Sequence, residues 1–181
     1  PDGFGRVGRE GTRVWVQGRR WRAVPGVIML IRTSPIEPVA WIPADEPAID
    51  HDAWTDRAGY FGIGPDAHFR LPPIKPGERP FCVWFKPISH GDFLRIQALI
   101  SQDSKAFESP AVLAEILRAS VVRIEGAAEE VGGKVQEIAP ERLVGPNGIT
   151  EEGLNFFSHP ALALEAAAAA WVLSLSRFSR P

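Results

Sequence analysis

Two proline-studded stretches limit what this chain can fold into more than any other feature. Pro35, Pro38, Pro43 and Pro47 punctuate residues 33–48, and Pro72, Pro73, Pro76 and Pro80 punctuate residues 72–80. Each proline removes a backbone donor and pushes its predecessor toward extended geometry. Neither stretch suits a helix or a central strand. Val39-Ala40-Trp41-Ile42 can still lie extended across a surface, anchored by Trp41. Residues 29–80 are therefore expected to form a proline-rich extended strap, packed on the domain or on a neighbouring subunit, with residues 72–80 as its stiff exit.

Phe81 to Phe85 follows, apolar at both odd and even positions, as a central or covered strand must be. Lys86-Pro87 ends it. Ser89 and Asp92 have the spacing of a helix cap, and Phe93, Ile96, Leu99 and Ile100 make one helical stripe. Residues 101–108 are polar and read as a loop. Ser109-Pro110 opens a second helix with Leu113, Ile116, Leu117, Ser120, Val121 and Ile124 on one face, and Gly126 is its expected stop.

Farther on, Val131-Gly132-Gly133-Lys134-Val135 has the two-residue turn of a hairpin, and Gly145-Pro146-Asn147-Gly148 is a second turn. Thr150-Glu151-Glu152 starts a short helix, and Ser158-His159-Pro160 precedes an alanine-rich final one. In that helix Leu164, Ala168, Trp171, Leu175 and Phe178 recur at helix-packing steps, a core stripe or, if uncovered, a patch for another chain. The expected class is α+β: a small sheet with hairpins in the N-terminal half, packed against three to four α-helices in the C-terminal half. At 181 residues and 45% hydrophobic, the chain can bury one such core.

The front reads differently. Residues 1–28 carry six arginines against two acids, a net +4, although the whole chain is at −2. The alternating Thr12 to Val16 and Gly18 to Val24 suggest a hairpin, and Val27 to Ile31 a strand. The only methionine is Met29, so residues 1–28 are expected to be a basic arm that is either upstream or non-native sequence or a genuine arm lacking only its initiator region. Arginines beside Trp15 and Trp21 can stack on bases, but nothing in the arm is specific to nucleic acid, which is not an expected partner. No run is long enough to span a membrane, so no membrane partner is expected either.

Little in the chain signals catalysis. Cys82, the single cysteine, lies in an apolar strand and is expected to be a buried small hydrophobe. The glycines of 59–64 lack the spacing of a phosphate or dinucleotide loop. Asp50-His51-Asp52 is the nearest approach to a metal-ligand set, with Asp56, His68, His90 and Asp92 able to join it, and a small metal-dependent hydrolase built on this cluster is the alternative reading. Neighbours on an extended chain point to opposite faces, so a polar turn capped by Asp50 is the expected arrangement. No enzyme activity, cofactor or metal is expected.

Residues 80–178 resemble the small tail assembly chaperones and minor tail proteins of tailed bacteriophages and phage-derived particles. The resemblance rests on order and character: Trp84-Phe85-Lys86-Pro87-Ile88-Ser89 with Asp92, then Val121-Val122-Arg123-Ile124-Glu125-Gly126, Thr150-Glu151-Glu152-Gly153-Leu154, and the closing helix from Leu162 to Phe178. The family often has a tryptophan where this chain has Arg123 or Ile124. The proline-rich segment 33–80 has no counterpart in it. The resemblance implies a non-catalytic protein in the host cytoplasm or in the particle, with tail tube, tape-measure or other phage tail proteins as partners. Trp41, Trp54, Trp171 and Phe178 are the expected partner-binding residues, with the core as the other use for such aromatics. Residues 81–181 form the expected α+β domain.

Overall fold

A computed structural model describes residues 15–16, 19–20, 37–102 and 105–178. Contacts divide the chain into residues 1–35 and 36–181. In the first unit β1 (Trp15–Val16) pairs antiparallel with β2 (Arg19–Arg20), which is the described part of the expected hairpin. The expected strand at Val27 to Ile31 lies outside the described residues.

In the second unit the described part of the strap, residues 37–80, and the helical region form one compact body around a three-stranded antiparallel sheet, ordered β3 (Val39–Trp41), β4 (Cys82–Phe85), β5 (Val121–Glu125). The alternation of β4 gives this sheet two dry faces. Val83 and Phe85 turn into the main core with the helices, whereas Cys82 and Trp84 join Ala40, Ile42, Ile49 and Trp54 in a second cluster built by the strap. The expectation of a covered central strand is met, and the strap provides one of its covers. Past the end of β3, the Tyr60 hydroxyl accepts from the Ile42 N–H (2.8 Å) and donates to the Ile42 carbonyl (3.2 Å), satisfying a backbone that no strand pairs.

Local caps form as the residue types dictate. Before α1 (His90–Gln102), Ser89 Oγ accepts from the Asp92 N–H and donates to the Asp92 carboxylate. Before α4 (Glu151–Phe156), Thr150 Oγ1 accepts from the Gly153 N–H. The two glycine turns close β6 (Ala128–Val131) onto β7 (Lys134–Glu137), and β8 (Val144–Gly145) onto β9 (Gly148–Ile149). A short α3 (Pro140–Leu143) joins the two hairpins. The polar run before Ser109 contains a 3-10 turn, Ala106–Glu108.

The second expected helix is corrected. It stops at Ser120, so α2 is Pro110–Ser120, and Val121–Glu125 is strand β5. The register shows why the pattern misleads. Trp84 faces Arg123 but Phe85 faces Val121, so Val122 is an extra, bulged residue. The bulge lets Val121 and Ile124, three apart, both turn inward, which imitates a helical spacing. The β-branched Val121, Val122 and Ile124 favour the strand.

The final helix, α5 (Pro160–Phe178), exists as expected but buries another stripe. Ala163, Ala166, Ala167, Ala170, Leu173 and Ser174 face the core, while Leu164 is exposed and Trp171 and Leu175 are half-buried. Small side chains let α5 lie close against α2, and so the alanines win the inner face over the larger residues. Ser174 fits there because its hydroxyl donates to the Ala170 carbonyl (2.8 Å) and accepts from the Ile88 N–H (3.0 Å). Trp171 instead stacks on Phe93 of α1, ring centroids 4.3 Å apart and nearly parallel.

Candidate functional site

An apolar concavity lies where α2, α4 and α5 converge. Three local events build it. Ser109-Pro110 starts α2, Thr150 caps α4, and the break at Ser158-His159 turns the chain into α5. The resulting groove encloses about 500 Å³. Leu113 and Leu117 of α2, Leu154 of α4, Phe157, and Ala161 and Leu164 of α5 give it apolar walls. Glu108, Asn155 and Ser158 supply polar groups at its lining. An apolar concavity with few polar groups suits apolar side chains, which those polar groups can orient.

The acidic–histidine cluster does not assemble. Asp50 Oδ1 accepts from the Ala53 N–H at 3.2 Å, the expected turn, while the exposed His51 lies beside the Trp54 ring, centroids 6.3 Å apart. Among the described residues no three His, Cys, Asp or Glu side chains converge to hold a metal ion. A pairing that sequence reading missed is Asp56 with His68. His68 Nε2 is 2.9 Å from the Asp56 carbonyl, and its Nδ1 accepts from the Arg70 N–H at 3.3 Å, so the first nitrogen carries the proton. Arg70 also reaches the Asp56 carboxylate at 3.2 Å. Both ring nitrogens therefore fasten the loop across 56–70. Twelve residues separate the pair, too far for any local pattern to reveal it.

The aromatic residues expected to bind partners divide. Trp41 is buried in the main core against Phe85, and Trp54 is buried in the strap cluster, edge-on to Tyr60 with Arg57 over its face. Both serve the interior in this fold. Trp171 is half-buried in its stack on Phe93. Phe178 ends α5, and its side chain lies outside the described residues. The groove residues Leu113, Leu117, Leu154 and Leu164 were visible only as apolar positions of three separate helices.

Cys82 is buried, as its strand setting implies. Burial, and then the neighbouring Glu125 carboxylate, push its thiol from the ordinary 9.0 up to about 12. The folded value lies above the unfolded one, so the unfolded chain loses its proton first. Any stability tied to this group is intact below pH 9 and is lost as pH rises toward 12. Burial raises the Tyr60 phenol in the same direction. The expected result at pH 8 is no thiol labelling of the native protein and labelling of one thiol per chain after unfolding. Rapid labelling of the native chain would contradict the buried setting.

Fold and groove together define an α+β domain with an apolar concavity. Among the described residues no helix is long and apolar enough to cross a membrane. Compared with known proteins, the chain matches no family model, no curated protein and no solved structure.

Proposed function

We propose that this chain is a non-catalytic interaction protein of a bacteriophage or phage-like tail, binding tail tube or tape-measure protein during assembly or within the particle. The groove between α2, α4 and α5 is the observation that carries the reading. It lies wholly within residues 108–164, inside the region that resembles tail assembly proteins. Its dimensions and leucine-rich walls suit the apolar face of a partner helix, read out as side chains at helical spacing.

The test is co-purification of tube and tape-measure proteins with the tagged full chain, each partner co-expressed in turn. Ala161→Arg and Leu164→Glu alter exposed positions on the groove wall, so the expected result is loss of at least about tenfold of the recovered partner with an unchanged thermal midpoint. A folded wild-type chain that recovers neither protein overturns the tail reading.

A further inference from the structure

The β6–β7 hairpin stands apart from both cores. Its root is fixed, because Ala127 and Ile138 are buried, the Ile138 N–H donates to the Ala127 carbonyl at 2.8 Å, and Arg142 Nη1 reaches the Glu129 carboxylate at 2.8 Å. Beyond the root every residue of β7 is exposed, and Val131 and Val135 stand 52% and 77% open. Two valines left in water do nothing for this fold.

Which backbone groups are open follows from the phase of the ladder. Val131 pairs with Lys134 across the two-residue turn, Glu129 with Gln136, and Ala127 bonds to Ile138 at the root. Residues 127, 129 and 131 therefore turn their N–H and C=O inward, and the alternation sends those of Ala128 and Glu130 out along one edge, and those of Val135 and Glu137 out along the other. Among the described residues no backbone group bonds to either edge.

The same alternation places Ala128, Glu130, Val135 and Glu137 on one face, since Glu130 sits across from Val135 and Ala128 across from Glu137. Glu130 and Glu137 make no ion pair among the described residues. An open edge recruits another strand, and these two carboxylates decide which one. A second copy of the hairpin would bring the like-charged carboxylates of the two edges together on one face, diagonal or opposite according to register, with no cation of that face between them, which is unfavourable. A segment with alternating basic and apolar residues would meet Glu130 and Glu137 with its cations on this face and turn its apolar side chains to the other face, the one that carries the exposed Val131.

We infer that the β6–β7 hairpin is a docking edge for an extended cationic segment of a partner protein, added as a third strand. The surface is separate from the groove, and the inference does not rest on the tail reading. The test uses fluorescent peptides of sequence Lys-Val-Arg-Val-Lys-Val and Glu-Val-Gln-Val-Glu-Val, titrated into the full chain at low and raised ionic strength. The cationic peptide is expected to bind, to weaken with salt and to slow amide exchange at Glu130, or at Val135 and Glu137, more than at Glu129 or Gln136. The acidic peptide should not bind. The double variant Glu130→Lys, Glu137→Lys should weaken cationic-peptide binding at least about tenfold, whereas Gln136→Ala on the opposite face should leave it unchanged. The inference is overturned if the cationic peptide fails to bind the wild-type chain, if both peptides bind alike, or if the double variant binds as tightly as wild type. Exchange on the wild-type chain alone also decides the question: protection by the peptide elsewhere than at the hairpin rejects it.

Discussion

Replacing Gly126 by alanine is expected to cost about 3–5 kcal/mol of stability, in the severe range for a single substitution. Two separate effects add at this position. The backbone has φ of +68°, which an alanine adopts only at a cost of about 1–2 kcal/mol. The new Cβ would also lie 2.3 Å from the Pro80 carbonyl oxygen and 3.2 Å from the Phe81 Cα, both rigid backbone atoms. Relief requires moving the start of β4 away from the end of β5, so the central pairing itself is strained. Gly132→Ala is the control, because it has φ of +61° but nothing within 4 Å of the added atom. Its expected cost is the conformational part alone, about 1–2 kcal/mol. Urea unfolding of both variants separates the effects; equal costs would show that the close approach at Pro80 is not rigid.

Phe85→Ala is expected to destabilise by a similar amount, about 3–5 kcal/mol, through a different mechanism. The ring is fully buried, 6.0 Å from Trp41 by centroid, and its residue pairs with both outer strands, facing Val39 on one side and Val121 on the other. Its removal leaves a cavity where the sheet meets the helices, at a point held in place by both neighbours. Phe85→Leu keeps most of the volume and should cost well under half as much. Comparable losses for the two variants in urea unfolding would mean that the ring's shape, and not the filled space, decides stability there.

The features legible in the sequence were those decided within a few residues. The Ser89–Asp92 and Thr150–Gly153 caps, the Gly132-Gly133 hairpin and the proline start of α2 formed as expected, because each needs only its immediate neighbours. Val121 to Glu125 misled because a bulge inside a strand and the face of a helix can show the same three-residue step. The inner face of α5 was misread because packing distance to α2 rewards alanine, a preference that periodicity of large residues does not register. The candidate site was least visible. Its walls come from helices that begin at Pro110, Glu151 and Pro160, and only their convergence makes a groove. In the same way, nothing near Asp56 announces that His68 will return to it.

The order of strands in the central sheet also bears on how the protein comes to be folded. Both pairings of β4 join residues about forty positions apart, Trp41 with Val83 before it and Cys82 with Glu125 after it. Each requires closing a long loop before any contact repays the lost chain entropy, so sheet formation is expected to lag behind the helices. During synthesis from the N-terminus, β3 and β4 are both available while β5 has yet to be made. The strap can then cover Cys82 and Trp84 first, and the Val83–Phe85 face stays wet until α2, β5 and α5 arrive. That interval, more than any exposed patch of the finished fold, is when this chain is most open to aggregation.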